Sequence, residues 1–169
     1  KRRLQELANQ NAGLALEADT ARAEQSRLRR VEALEELREV LNLESLPLRI
    51  ECFDVSNIQE ESPVASMVVF QDATPKKAHY RKFAVRYAAG QDDVAMMHEV
   101  VSRRFARLRA VTAEEYDESF AAVPNLVVID GGKAQLAAAL AAMRQFALPR
   151  VAVVSLAKRE EEVYRPGRQ

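Results

Sequence analysis

The sequence has one cysteine, no tryptophan and five glycines among 169 residues. A single cysteine, Cys52, excludes an internal disulfide and a cysteine-rich zinc site, and it fits a reducing, cytoplasmic setting. No apolar run reaches the ~18 residues that a membrane span needs, and no signal-peptide pattern opens the chain. Because the first residue is Lys1 rather than methionine, we expect the chain to be part of a longer protein.

The chain also lacks an excess of charge of either sign, since 25 basic residues balance 25 acidic ones. The charges balance over the whole chain but not within each segment. Residues 76–109 carry nine Lys/Arg against three acids, whereas residues 110–123 carry four acids and no base. A basic surplus that local acids cannot pair predicts contacts with a phosphate backbone, which weaken steeply as salt is added. With 48% hydrophobic residues, the chain can bury a core and indicates one domain plus an appendage.

Residues 1–45 contain one glycine and no proline, and they are rich in Leu, Ala, Glu and Arg. Apolar residues recur here at spacings of three and four, which predicts one long or two shorter amphipathic helices ending at Pro47. The spacing leaves two uses open. The helix either packs one stripe on its own domain as a linker or docks on a partner.

The remainder predicts an α/β domain with a mixed five-stranded sheet. Three β-like runs separated by polar, proline-bearing turns indicate antiparallel strands, and a later strand–helix–strand unit requires parallel pairing. Residues 111–123 are predicted to form an acidic loop. The predicted strands are 48–55, 64–71, 80–87, 126–130 and 151–155, and the predicted helices start near residues 92 and 133.

Two aspartates, Asp54 and Asp130, come at the ends of predicted strands. A carboxylate there is costly to desolvate unless it is paired or bound to a cation. Two of them on neighbouring strands would suit Mg²⁺ or Mn²⁺, which prefer oxygen ligands. The alternative is that each aspartate caps a turn, as Asp before Gly-Gly often does.

Five basic residues are candidates for contacts with DNA phosphates: Lys133, Lys158, Arg159, Arg103 and Arg104. Lys133 follows Gly131-Gly132 at a helix start, where backbone N–H groups also favour anions. The alternative for the arginines is an ion pair on the helix surface, because Glu99 precedes Arg103 by four residues. The alternative for Lys158 and Arg159 is that they pair with the glutamates at residues 160–162 in a charged hairpin.

The remaining reactive side chains are interpreted as structural. Cys52 has no histidine placed by sequence to act as its base, and is predicted to be a small core residue. His79 and His98 lack a metal-ligating partner at helical spacing and are predicted to be surface residues.

Several of these segments, in order, resemble one family. The predicted topology resembles the ribonuclease H-like fold, in which acids on the first and fourth strands lie side by side. The motifs resemble the C-terminal endonuclease half of the bacterial excinuclease UvrC, and the similarity runs from residue 48 to residue 167. They are residues 53–59 (Phe-Asp-Val-Ser-Asn-Ile-Gln), 64–70, 80–83, 92–93 with 103–104, 129–133 (Ile-Asp-Gly-Gly-Lys) and 156–159 (Leu-Ala-Lys-Arg).

The resemblance implies nucleotide excision repair of damaged double-stranded DNA, in the setting of DNA damage and the SOS response. It implies a metal-dependent endonuclease making the 5′ incision, with Asp54 and Asp130 as catalytic metal ligands. It also implies a third, histidine ligand beyond Gln169. The expected domains are a helical linker, 1–46, and a ribonuclease H-like endonuclease domain, 47–169, truncated before its last catalytic helix. The excinuclease component UvrB is the expected partner, through the helical region preceding or including 1–46.

Two other interpretations remain open. The chain could be a catalytically silent module that binds DNA or a partner, or it could be another ribonuclease H-like nuclease such as a resolvase or transposase. The first differs in predicting no Mg²⁺ or Mn²⁺ binding that depends on both aspartates. The motif string argues against the second. In one departure from the family, Glu60-Glu61 replace the glycine usual after residues 58–59, which puts that loop's conformation in doubt.

Overall fold

A computed structural model describes residues 2–56, 63–86, 92–112, 116–148, 150–157 and 162–167. Within these ranges a seven-stranded mixed sheet is accompanied by four α-helices and one short 3₁₀ turn, Lys77–His79. The helices are α1 Arg2–Val40, α2 Asp93–Ala110, α3 Glu118–Ala121 and α4 Lys133–Arg144. The strands are β1 Arg49–Ser56, β2 Val64–Gln71, β3 Thr74–Pro75, β4 Arg81–Ala84, β5 Leu126–Asp130, β6 Ala152–Ala157 and β7 Glu162–Tyr164.

The strands follow the spatial order β3-β2-β1-β5-β6-β7, and β4 also pairs with β2. β1 and β2 are antiparallel, as are β2 and β4. β1, β5 and β6 are parallel neighbours, so their carboxyl ends meet at one edge of the sheet. β7 returns antiparallel beside β6. The mixed α/β architecture predicted from the sequence is therefore confirmed.

The main core lies on one face of the sheet, beneath α2 and α4. Phe53 of β1, Met67 of β2 and Ile129 of β5 have no exposed surface and belong to this core. α2 contributes Val101 and Phe105, which follow the predicted stripe of the helix. Asp92 caps the start of α2 by accepting from two backbone N–H groups, and this fixes where the helix begins.

The opposite face of the sheet is covered only in part, by the end of α1. Leu41 packs there against Leu126 and Val154. Leu34 is buried with 5% of its surface exposed, whereas Leu4 near the start of the helix is 74% exposed. Of the two predicted possibilities, one long helix or two shorter ones, the structure has the single long helix, and its last turns pack on the domain.

α1 ends at Val40, seven residues before the predicted stop at Pro47. Asn42 adopts a left-handed conformation with φ of 47°, and Leu43 N–H donates to the Arg38 carbonyl at 2.8 Å. This capping arrangement closes the last turn without proline. None of the described helices is long and apolar enough to cross a membrane.

A network of buried charges ties the region before β5 to the sheet and to α2. Glu51 of β1 and Arg104 of α2 have fully buried side chains joined at 2.7 Å, and Arg49 donates to the same carboxylate. Arg104 also donates to the carbonyls of Phe120 and Ala122 at 3.0 and 2.7 Å. Each charge is thus paired and hydrogen-bonded, which burial requires.

Two sequence predictions are corrected by the fold. The sheet has seven strands among the described residues rather than five, because β3 and β7 form only by pairing at the edges of β2 and β6. Residues 111–123 were predicted to be a loop, yet they include α3, with Ser119 and Phe120 buried. Asp117 caps that helix, and the Phe120 ring packs edge-on against Phe83.

Candidate metal centre

Asp54 and Asp130 lie at neighbouring positions on two parallel strands. β1 and β5 are paired in register up to Phe53 and Ile129, and the next residue in each strand is the aspartate. Because Phe53 and Ile129 point into the core, both carboxylates leave the sheet on the opposite face. Adjacent strands lie about 4.8 Å apart, so the two carboxylates can reach one ion.

The surroundings of the aspartates are polar and half-buried. The Ser56 hydroxyl donates to Asp54 Oδ2 at 3.2 Å, and this bond keeps the carboxylate oriented along the end of β1. Asp54 and Asp130 are both half-buried rather than fully enclosed. A carboxylate in this position keeps access to solvent and to a ligand while its strand stays fixed.

Cys52, two residues before Asp54 on the same strand face, reports the negative charge of the site. Burial raises the pKa of the Cys52 thiol to about 11, and the nearby carboxylates of Asp130 and Glu51 contribute to that rise. Cys52, predicted to be a small core residue, is half-buried, and its raised pKa agrees with the prediction that it is not a nucleophile, because a nucleophilic cysteine needs a lowered pKa.

The donor set fits a hard divalent ion but does not complete its coordination. Mg²⁺ is commonly held by one or two carboxylates while waters and substrate oxygens fill the other positions. In the described part of the chain, no group of three or more His, Cys, Asp or Glu side chains could hold a metal ion. Asp54 and Asp130 are two carboxylates at this edge that could form part of the ligand set of Mg²⁺ or Mn²⁺.

Comparison with known families identifies the family of this chain. The family model described as the UvrC RNase H endonuclease domain matches residues 38–169, well over half of the chain. The chain belongs to this family. The resemblance read from the sequence motifs is confirmed.

Curated relatives of the UvrC family support the assignment over the whole chain. The UvrABC system protein C of Thermobifida fusca is 43% identical over 100% of this chain, and that of Parafrankia sp. is 45% identical over 98% of it. The Dehalococcoides mccartyi protein is 47% identical over 80% of the chain. The chain spans only 28%, 28% and 22% of these three relatives.

Among solved structures, the chain is similar to Ciona intestinalis endonuclease V in complex with a DNA containing an inosine followed by a ribo-adenosine. The similarity has a TM-score of 0.46 at 15% sequence identity, and it covers 76% of this chain and 58% of that one.

Four of the five basic residues predicted to contact DNA phosphates fall into three groups. Lys133 is exposed at the start of α4, and its ammonium lies 5.0 Å from the centre of the Tyr164 ring. Arg103 donates to Glu99 at 3.0 Å, as the four-residue spacing predicted, and also to the Ala84 carbonyl. Lys158 and Arg159 lie outside the described residues.

Arg104, also predicted to contact DNA phosphates, lies inside this UvrC family domain. Its side chain has no exposed surface, and its guanidinium is engaged by Glu51 and by two carbonyls. A phosphate could reach it only if α2 separated from the sheet. The predicted contact between Arg104 and DNA is therefore wrong, and its role is structural.

His79 was predicted to be a surface residue and is instead buried, with 6% of its surface exposed. Arg49 Nη1 lies 3.0 Å from His79 Nδ1. Because a guanidinium can only donate, Nδ1 accepts and the ring proton sits on Nε2, 3.5 Å from Glu118. His98 is half-buried on α2.

Two residues whose contacts shape the domain were not predicted from the sequence. Arg49 belongs to the buried network, and the alternation of Arg49, Glu51 and Phe53 along β1 was a signal that charges point inward. Gln135 was missed near the metal centre. Its signal was the spacing of three residues from Gly132, the helix N-cap, at which a glutamine reaches back to the cap.

Proposed function

We propose that this domain is the part of an excinuclease that cuts a DNA strand on the 5′ side of a lesion, by metal-dependent hydrolysis of a phosphodiester. The proposal is supported by the family of the chain and by one structural observation. Asp54 and Asp130 are adjacent across two parallel strands and share one face at their carboxyl edge. Damaged double-stranded DNA is the proposed substrate, and the cytoplasm is the proposed location.

In the proposed mechanism, the aspartates supply two anchoring carboxylates on a rigid base. In each strand the residue directly before the aspartate, Phe53 or Ile129, is fully buried, so the carboxylates are held by the strands and not by a flexible loop. A bound divalent ion would supply an activated water and would stabilise charge on the phosphodiester oxygens. The ammonium of Lys133, which is exposed and follows Asp130 by three residues, would bind a phosphate of the DNA backbone in this proposal.

The proposed partner is UvrB, through the helical region that includes residues 1–46. The structural support is that α1 leaves most of its length exposed, including Leu4, Leu7 and Leu14. An exposed helix with apolar residues at regular spacing is a common docking element.

The test of catalysis replaces each aspartate in the full-length protein. Asp54→Asn and Asp130→Asn should each abolish the 5′ incision of a DNA with one lesion and leave the 3′ incision intact. Asp72→Asn is a matched control, because Asp72 is exposed in the β2–β3 turn. Retained 5′ incision by either variant would refute the proposal. Loss of both incisions would indicate a fault in folding or assembly instead.

The catalytically silent alternative is separated by metal binding alone. The proposed enzyme should bind Mn²⁺ in a titration, and either aspartate replacement should weaken that binding strongly. A binding module without catalysis should show no Mn²⁺ binding that depends on Asp54 and Asp130, and this result would favour the alternative.

A further inference from the structure

We propose that Gln135 is a positioning residue for Asp130. It would act by fixing the turn that directly follows the aspartate. This inference rests on the proposed function, because it assumes that Asp130 holds a metal ion. Gln135 itself lies in the first turn of α4, is half-buried and carries no charge, so it is not proposed as a catalytic residue.

The turn after Asp130 has its backbone donors fully used. Gly131 N–H donates to the Leu156 carbonyl of β6 at 3.0 Å. Gly132 N–H donates to the side-chain oxygen of Gln135, Oε1, also at 3.0 Å. One donor therefore ties the turn to the neighbouring strand, and the other ties it to the start of α4. Both peptides after the aspartate are fixed in place.

The same two bonds correct an expectation from the sequence. The Gly-Gly-Lys start of α4 was predicted to offer backbone N–H groups to a phosphate. The N–H groups of Gly131 and Gly132 already have partners within the protein. A phosphate near Lys133 would have to be bound by that side chain and by groups other than these two.

Gln135 and Gly131 also fit each other sterically. A Cβ atom added at Gly131 would lie 2.9 Å from Gln135 Cδ, closer than carbon atoms pack, and the φ of Gly131 is +158°. A side chain at residue 131 would therefore push Gln135 away from Gly132. Gly131, which has no side chain, leaves room for Gln135, and the amide oxygen of Gln135 accepts the hydrogen bond that holds the turn.

A metal ion requires its ligands within a few tenths of an ångström. Side chains that orient a metal ligand typically change metal affinity by about 10–100-fold when they are removed. Asp130 is the last residue of β5, and the chain continues from it directly into the turn of Gly131 and Gly132. The turn held by Gln135 is its support on the carboxyl side.

The experiment compares metal binding and incision in the full-length protein. Gln135→Met keeps the length and helix preference of the side chain but removes the acceptor, and Gln135→Glu keeps an acceptor. Gln145→Met, on an exposed glutamine at the end of the same helix, is the matched control. Mn²⁺ affinity is measured by titration, and the 5′ and 3′ incisions are measured on one DNA substrate.

We expect Gln135→Met to weaken Mn²⁺ binding by about tenfold, with a matching rise in the metal concentration that half-saturates the 5′ incision. Gln135→Glu should stay within about threefold of the unmodified protein, and Gln145→Met should be unchanged. Gly131→Ala, which displaces Gln135 without replacing it, should reproduce the loss. This second variant also keeps the test decisive if Gln135→Met does not fold.

Three outcomes would overturn the inference. The first is unchanged Mn²⁺ affinity in Gln135→Met or in Gly131→Ala. The second is an equal loss in Gln135→Met and Gln135→Glu, which would mean that the acceptor is irrelevant. The third is a loss of affinity that follows a general loss of thermal stability. If Asp130→Asn leaves Mn²⁺ binding intact, the proposed function fails first and separately.

Discussion

Replacing Glu51 by Gln should destabilise this domain far more than replacing an exposed glutamate in an ion pair of equal length. Glu51 has no exposed surface and accepts from Arg104 Nη2 at 2.7 Å, Arg104 Nε at 2.9 Å and Arg49 Nε at 3.0 Å. The substitution removes the negative charge that two buried guanidinium groups share. Glutamine keeps one acceptor oxygen, so part of the network survives.

The expected magnitude follows from the cost of leaving a buried charge without its partner. Breaking a buried ion pair from one side costs about 3–5 kcal/mol, and the retained acceptor places Glu51→Gln near the lower end of that range. For a domain of this size, about 1 kcal/mol corresponds to roughly 2–4 °C in Tm, so the expected fall is roughly 6–12 °C. Urea denaturation followed by circular dichroism gives the free energy of unfolding directly.

The control is Glu24→Gln on α1. Glu24 also lies 2.7 Å from an arginine, Arg27, but both side chains are more than half exposed. Water screens that pair, so we expect no measurable change in the midpoint of unfolding. If Glu51→Gln and Glu24→Gln shift the midpoint by the same amount, burial does not determine the strength of these pairs and the reasoning is refuted.

Three further predictions concern the thiol, one surface carboxylate and the helix packing. Burial and nearby charges raise the pKa of Cys52 to about 11, and Asp130→Asn removes one of those charges. Iodoacetamide should therefore alkylate Cys52 faster at mildly alkaline pH in this variant. An unchanged rate would contradict the proximity of the two residues. Although burial acts in the opposite direction, hydrogen bonds from Ser119 and Arg81 lower the pKa of Asp117 from 3.8 to about 2. The stability they supply should therefore be present above about pH 4 and be lost as the pH falls towards about 2, and Asp117→Asn should flatten that part of the curve in acid titrations of folding. Leu34→Ala should cost about 2–5 kcal/mol because Leu34 is buried, whereas Leu4→Ala should be neutral in the same denaturation assay; equal effects would show that the whole of α1 is packed alike.

Long elements with regular patterns were predictable from the sequence. Strands β1, β2, β5 and β6 alternate or run apolar over five to eight residues, and their predicted bounds differ from the structure by at most two residues. The side-by-side placement of the two aspartates was expected from the resemblance to the ribonuclease H-like fold, and the parallel pairing of β1 with β5 agrees with it. β3 and β7 have two and three residues, too few to carry a period, and they depend on neighbours outside their own short segments.

The error at Arg104 was avoidable in part. Arg104 follows Val100 by four residues and Val101 by three, and both valines are fully buried, so helical spacing places the arginine on the buried stripe. Charge alone suggested exposure. What the sequence could not reveal was the partner, because Glu51 is 53 residues away in the chain.

His79 and Gln135 illustrate two different limits of sequence reasoning. His79 is buried and contacts Arg49, which is thirty residues earlier in the chain, and no local pattern encodes that contact. Gln135 is a local feature with a recognisable spacing from Gly132. The sequence shows that the turn follows Asp130, but only the structure shows that Gln135 accepts a hydrogen bond from that turn.

The 39-residue α1 sets both the distance and the direction of its amino end relative to the rest of the domain. At about 1.5 Å and 100° per residue, the helix extends roughly 58 Å, and its last turns are clamped to the sheet. One residue inserted near Gly13 would turn anything joined to the amino end by about 100° relative to the two aspartates while moving it only about 1.5 Å. Seven inserted residues would add about 10 Å and almost restore the heading. Direction should therefore be more sensitive to insertions in α1 than distance is.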